Sequence, residues 1–210
     1  MSDKVDKGRL QQRKKPMQER SIQRLESILE AAVGLFLEKG VNNVTMSEIA
    51  QRAHIPIGSL YQFFPQKAAI IKALHDRLSS EMDGFILNIF ADTHTLDEAA
   101  ERAAKCLLEI FDIIRKAPIH ISLWQAILAD NDLNQLSAEF HERLITAFYK
   151  DLAHLVPEGQ CERFRINLKL MIMTTSEVIR FSSHQSEEAA SAYLARWRQI
   201  IRSQIFNFDP

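Results

Sequence analysis

The residues best suited to chemistry lie between Thr45 and Phe64. Thr45 and Glu48 have the spacing of a capping box, which predicts that a helix starts here. Residues 54–56, His-Ile-Pro, predict that this helix ends after about two turns, and a second short helix is predicted over 57–64. Two short helices joined by a tight turn form a helix-turn-helix, whose second helix enters the major groove of DNA in known complexes.

The second helix offers side chains that could read base edges. Leu60 and Phe64 are predicted to face inward, which leaves an exposed set of Pro56, Ile57, Gly58, Ser59 and Gln62. The Gln62 amide could form two hydrogen bonds to adenine, and the Ser59 hydroxyl could donate or accept. Ile57 and Pro56 could press against a thymine methyl group. The pattern therefore favours sequence recognition in duplex DNA.

Affinity must come from phosphate contacts, because residues 57–64 contain no lysine or arginine. The candidates carry a hydroxyl or a cation near a helix start, and they are Thr45, Ser47, Tyr61 and Lys67. The first 24 residues hold 8 lysines and arginines against 3 carboxylates, so residues 1–19 are predicted to form a flexible basic arm. This arm is predicted to add phosphate contacts, and the alternative is a basic tail that only improves solubility.

The rest of the chain also has helical periodicity. Apolar stripes with i, i+3, i+4 spacing start at Ile22, Leu96, Leu133, Phe164 and Leu194. Thr95 and Glu98 predict a second capping box. No stretch alternates polar and apolar residues over the length of a strand. The sequence therefore predicts an all-α fold.

One stretch resembles the TetR family of bacterial transcriptional regulators. The resemblance rests on Gly40 followed by Thr45, Ile49, Ala50 and Ala53 in the pattern GxxxxTxxxIAxxA, and then on IGSLYQFFPxK from Ile57 to Lys67. It covers roughly residues 20–75. His54 departs from the family pattern, which usually has glycine there. The glycine implies a turn with positive φ, a conformation that histidine tolerates better than bulky apolar residues do, and a phosphate contact by His54 is the alternative.

The resemblance implies a division of labour along the chain. It implies an amino-terminal three-helix DNA-binding domain over 20–67 and a carboxyl-terminal helical bundle over 68–210 for ligand binding and dimerisation. It also implies a repressor that leaves its operator when a small effector binds. Position by position, Thr45, Tyr61 and Lys67 match phosphate contacts of the family, and Ile57, Gly58, Ser59 and Gln62 match its reading surface.

Residues of the predicted carboxyl-terminal domain suggest an apolar or aromatic effector. The predicted cavity lining is Phe85, Ile110, Trp124, Met171 and Thr175. Ordinary core packing is the simpler explanation for each of them singly, because aromatic and methionine side chains at helical spacing occur in any core.

The last helices are predicted to form a homodimer. Their apolar stripe is wider than one neighbouring helix would cover, and the predicted interface is Tyr193, Leu194, Trp197, Ile201 and Ile205. Two recognition helices about 34 Å apart would read a palindromic operator. The helix that starts after Pro65 would couple the effector to DNA.

Other function classes find little support in the sequence. HExxH, GxSxG, P-loop and GxGxxG motifs are absent, so neither an enzyme nor a cofactor or metal site is predicted. Two cysteines cannot build a disulfide framework, and no apolar stretch approaches the roughly 20 residues that cross a bilayer, so a cytoplasmic protein without a membrane partner is expected. A helical protein-interaction module and a helical-bundle enzyme without DNA binding are the alternatives.

Overall fold

The computed structural model describes Gln12 and residues 19–208. Most of the described residues are helical, and none of them forms a strand. The helices are α1 Glu19–Lys39, α2 Met46–Arg52, α3 Ile57–Phe63, α4 Lys67–Leu87, α5 Leu96–Lys116, α6 Ile119–Leu128, α7 Asn131–Leu152, α8 Cys161–Ser182 and α9 Glu187–Ile200. A π-helical turn, Ile201–Ile205, follows α9. The predicted all-α fold is confirmed.

The chain forms two compact units. The first unit runs to Ser80 and includes Pro118–Ser137, and the second unit comprises Glu81–Ala117 and Ala138–Pro210. The division falls within α4 and within α7, so the predicted domain boundary after residue 67 stays a prediction. Apart from Gln12 and Glu19, the predicted basic arm lies outside the described residues.

The first unit has its core among α1, α2, α3 and α6. Helix α1 contacts α2, α6 and a short 3-10 turn, Val41–Asn43. Leu60, Phe63 and Phe64 are fully buried, although Phe63 was not among the residues predicted to face inward. Both phenylalanines reach the core because α3 ends at Phe63 and Phe64 is extended. Burial of each contributes roughly 1.5–3 kcal/mol.

The second unit is built around α5, which contacts α8, α9 and the π-helical turn. Phe90 and Phe148 pack edge to face in its core, with ring centroids 4.8 Å apart. The predicted capping box at α5 is only half right. The Thr95 hydroxyl accepts from the Glu98 amide at 3.1 Å, but the Glu98 carboxylate accepts from the amide of His94 at 3.0 Å, one residue earlier than predicted.

No helix in the described part of the chain combines the length and the apolarity needed to cross a membrane.

Candidate nucleic-acid interface

The start of α2 is closed by a complete capping box. The Thr45 hydroxyl accepts from the Glu48 amide at 3.3 Å, and the Glu48 carboxylate accepts from the Thr45 amide at 2.8 Å. The hydrogen bond from Lys39, followed by those from Thr45, lowers the pKa of Glu48 from 4.5 to about 2. The carboxylate is therefore ionised at neutral pH. The first predicted capping box is confirmed.

Ion pairs hold α2 against the end of α1. The Lys39 ammonium donates to Glu48 at 2.7 Å. The Arg52 guanidinium donates through two nitrogens to the two oxygens of Glu38, at 2.9 and 2.6 Å. A Cβ added at Gly34 would lie 3.4 Å from Arg52 Nη1, so the glycine leaves room for this side chain on α1. Lys39 and Arg52 are therefore already paired with carboxylates.

The turn between α2 and α3 is a Schellman motif centred on His54. The Ile55 amide donates to the Ala50 carbonyl at 3.0 Å, and the His54 amide donates to the Gln51 carbonyl at 3.1 Å. His54 has φ of 54°, in the left-handed region that this motif requires. The expected positive φ at His54 is confirmed, and the motif explains why glycine is the common residue at such a position.

We expect His54→Gly to preserve the free energy of unfolding or raise it by up to about 1 kcal/mol. Glycine adopts positive φ without steric cost, and this relief of strain equals or exceeds the loss that comes from the greater entropy of the unfolded chain. Urea unfolding at neutral pH measures the change. Asp92→Gly is the matched control, since Asp92 is also a non-glycine residue at positive φ, with φ of 55°. A clear loss of stability in His54→Gly alone would show that the imidazole makes a contact that the turn needs.

The exposed face of α3 contains most of the predicted reading surface. Ile57 is 40% exposed and Tyr61 43% exposed, while Pro56, Gly58 and Gln62 are exposed and Ser59 is half-buried. A Cβ added at Gly58 would meet no atom within 4 Å. Proline at the N-cap offers no side-chain acceptor, so the first turn carries no side-chain cap. These side chains face away from the core, as base contacts require, and the contacts themselves stay a prediction.

The hydroxyl residues at the start of α2 differ in their surroundings. The Thr45 hydroxyl is engaged in the capping box, where it also donates to Glu48 at 2.8 Å. The Ser47 side chain is exposed. Phosphate contacts by Thr45, Ser47 and Tyr61 stay predictions.

Lys67, at the start of α4, is hydrogen-bonded to backbone carbonyl groups. Its ammonium donates to the carbonyl oxygens of Val41 at 2.7 Å, Val44 at 2.9 Å and Asn42 at 3.2 Å. Burial lowers the pKa of Lys67, and the negative charge of Glu48 opposes that change. All three N–H groups of the ammonium already have backbone acceptors in the single chain, and the phosphate contact of Lys67 stays a prediction.

Both halves of the chain match family models. Residues 28–74 match the bacterial regulatory proteins of the tetR family, and residues 95–208, more than half of the chain, match the tetracyclin repressor-like carboxyl-terminal domain. The chain belongs to the TetR family. The family is one of bacterial regulatory proteins, which agrees with the predicted transcriptional regulator.

Individual relatives agree with membership of the TetR family. An HTH-type transcriptional regulator of Staphylococcus aureus (strain USA300) is 32% identical over 176 residues, which cover 80% of this chain and 89% of that protein. The nucleoid occlusion factor SlmA of Actinobacillus pleuropneumoniae is 27% identical over 126 residues, so that the match spans 58% of this chain and only 61% of SlmA. The solved structure of SmeT with triclosan has a TM-score of 0.60 at 17% identity, covers 83% of this chain and 91% of that chain, and shows the same fold.

The residues predicted to bind an effector are divided between the two units. Trp124 belongs to the first unit, whereas Phe85, Ile110, Met171 and Thr175 belong to the second. Phe85 is exposed and Met171 is buried. The Thr175 hydroxyl accepts from the indole N–H of Trp197 at 2.9 Å. The ligand role of these residues stays a prediction.

Most of the predicted dimer interface lies inside the TetR-family chain itself. Leu194, Ile201 and Ile205 are only 4%, 1% and 7% exposed in the single chain, which leaves little of their surface for a partner, and their role in a dimer stays a prediction. Helix α9 and the π-helical turn contact α5 and α8 of the same chain, and these two helices cover the apolar stripe. Trp197 is half-buried, and Tyr193 is exposed.

A second apolar face, missed in the sequence, lies on α8. Ile166, Leu170, Met173 and Phe181 are between 46% and 54% exposed, on the side of the helix opposite to its buried residues. Tyr193 of α9 packs edge to face on Phe181, with ring centroids 5.1 Å apart. We call these five residues the outer stripe. The spacing of four and three residues between Ile166, Leu170 and Met173 was the available signal, but the stronger inner stripe that starts at Phe164 masked it.

Proposed function

We propose that this TetR-family regulator binds a palindromic operator as a homodimer, represses transcription there, and is released by a small apolar or aromatic effector. The outward face of α3 carries the proposal, because its polar and apolar side chains are free of the protein core. Such a face suits direct contact with base edges in the major groove.

The reading surface would combine one polar anchor with apolar contacts. Gln62 would form two hydrogen bonds to adenine, and Ile57 would contact a thymine methyl group. The missing Cβ at Gly58 would let the helix backbone approach the bases closely. Ser47, Tyr61 and the basic residues before residue 19 would contact phosphate, since Lys39 and Arg52 are already paired.

The outer stripe supports the homodimer. A helix with apolar residues on two opposite faces needs cover on both, and in the single chain α8 has cover on only one. A second copy of α8 and α9 would supply the other cover and form a four-helix bundle with two-fold symmetry. Two copies of α3 would then read two half-sites about 34 Å apart.

Two observations support the effector part of the proposal: a protein of the same fold was solved with a small molecule, and the predicted lining residues are mostly apolar or aromatic. SmeT, which has the same fold, was solved in complex with triclosan. Helix α4 begins in the first unit and ends in the second, so its displacement would carry the effector signal. The switch needs an effector whose affinity for the two arrangements differs by about 1–3 kcal/mol. Native mass spectrometry of the purified protein would identify a retained small molecule.

A gel-shift titration against DNA upstream of the protein's own coding region tests the proposal. Affinity should fall steeply between low and moderate salt, because phosphate contacts release counterions. Two-fold symmetric protection of the DNA would support the palindrome. A DNA affinity that depends neither on the DNA sequence nor on the salt concentration would favour the alternative, a helical protein-interaction module.

The variant Gln62→Ala should lose about 1–3 kcal/mol of operator affinity and relax the preference at one base pair in each half-site. Binding to duplexes that vary one position at a time measures both effects. Gln125→Ala, at an exposed glutamine of α6, is the matched control and should leave affinity unchanged. An equal loss for all duplexes would remove Gln62 from the reading surface.

A further inference from the structure

The start of α4 is tied to the turn that precedes α2. Lys67 is the first residue of α4, and its ammonium lies within 2.7 to 3.2 Å of three carbonyl oxygens of residues 41–44. Val44 immediately precedes Thr45, the N-cap of α2. One side chain thus joins two helix starts that are 21 residues apart in the sequence.

The position of Lys67 is costly for a cation unless these hydrogen bonds form. The amino terminus of a helix carries a partial positive charge, which disfavours a cation in the first turn. Charge-assisted hydrogen bonds are roughly twice as strong as neutral ones, and three carbonyl dipoles converge on this ammonium. The same contacts satisfy carbonyls of a turn that has little regular structure of its own. The arrangement therefore favours a lysine that holds protein parts together.

We infer that Lys67 is a positioning residue for DNA binding, and that its ammonium fixes the turn at residues 41–44 so that the start of α2, with Ser47, meets the DNA backbone in the correct place. The inference rests on the proposed phosphate contacts at the start of α2. It replaces a direct phosphate contact by Lys67, and the two roles have different consequences for salt dependence.

A direct contact and a positioning role separate in a salt titration. Loss of a lysine that neutralises a phosphate reduces the slope of log affinity against log salt by about one. Loss of a positioning lysine weakens uncharged contacts made by hydroxyl and amide groups, so the affinity falls while the slope stays the same.

The experiment compares Lys67→Met with two controls in the full chain. Lys72→Met removes the same charge from α4, where Lys72 pairs with Asp76. Ile70→Val trims a fully buried side chain of the same helix and lowers stability without touching the turn. The probe is a duplex selected from a random pool by the wild-type chain. Thermal unfolding shows that each variant is folded at the binding temperature.

We expect Lys67→Met to bind at least about tenfold more weakly with an unchanged salt slope, and both controls to stay within about twofold of wild type. Unchanged affinity, or a slope reduced by one, would overturn the inference. Failure of the pool to yield any duplex would instead refute the proposed function.

A measurement on the wild-type chain covers the case in which Lys67→Met does not fold. Nitrogen-15 NMR of the Lys67 ammonium in the DNA complex should show no scalar coupling to phosphorus, because its three N–H groups continue to donate to carbonyl oxygens. A resolved coupling to phosphorus would establish a direct phosphate contact and overturn the positioning role.

Discussion

The double substitution Leu170→Glu, Met173→Glu should produce a folded monomer that binds its operator at least about a hundredfold more weakly, because linked half-sites gain affinity by a factor of this size or more. Both side chains are exposed at the centre of the outer stripe, so the new carboxylates stay in water in the monomer. In the dimer they would be desolvated and would face like charges across the two-fold axis.

Sedimentation and gel-shift titration at matched concentrations measure these two effects. Leu128→Glu is the control, since Leu128 is a similarly exposed leucine outside the outer stripe and should leave mass and affinity unchanged. Ile201→Glu should unfold the second unit, because it places a charge in the core. A dimer that persists would refute the outer stripe as the interface, and a monomer with wild-type affinity would refute cooperative reading of a palindrome.

The second large effect is expected from Phe64→Ala, which should cost about 3–5 kcal/mol of unfolding free energy. Phe64 is fully buried directly after α3, beside two other buried residues of that helix, Leu60 and Phe63. A helix of two turns does not form alone in water, so its position depends on these anchors. Operator binding should fall with the population of the folded first unit.

Chemical unfolding and operator affinity should be measured together for this variant. Ile57→Ala is the control on the same helix, because Ile57 is 40% exposed and its truncation should change stability by less than about 0.5 kcal/mol. Ile57→Ala should instead weaken DNA binding. Phe64→Ala with wild-type stability would mean that the first unit does not depend on the burial of this ring.

Local chemistry made much of the helix-turn-helix predictable. The capping box at Thr45 depends on two residues three positions apart, and the turn at His54 depends on a motif of six consecutive residues. The faces of α3 follow from the spacing of Leu60 and Phe64. Phe63 was missed because its burial depends on where α3 ends and on the extended backbone that follows it.

Contacts between distant parts of the sequence were not predictable in the same way. An apolar stripe on α9 shows that something covers it, but it does not show whether α5 and α8 of the same chain or a second chain provides the cover. Lys67 presents the same difficulty, since its residue type suits both a phosphate and a cluster of carbonyl oxygens. Contacts between residues far apart in the sequence determine both the cover of the α9 stripe and the hydrogen-bond partners of Lys67 in the single chain.

The membership of α6 in the first unit limits how this protein could be recombined with its relatives. Helix α6 contacts α1 and the turn Val41–Asn43, yet in chain order it lies between two segments of the second unit. A chimera joined at a single point within α4 would receive α6 from the other parent. The transferred helices α1 to α3 would then pack against an α6 from the other protein. Exchange of operator preference between such regulators therefore requires two junctions in the chimeric chain, so that α6 is transferred as well, or matching substitutions in α6.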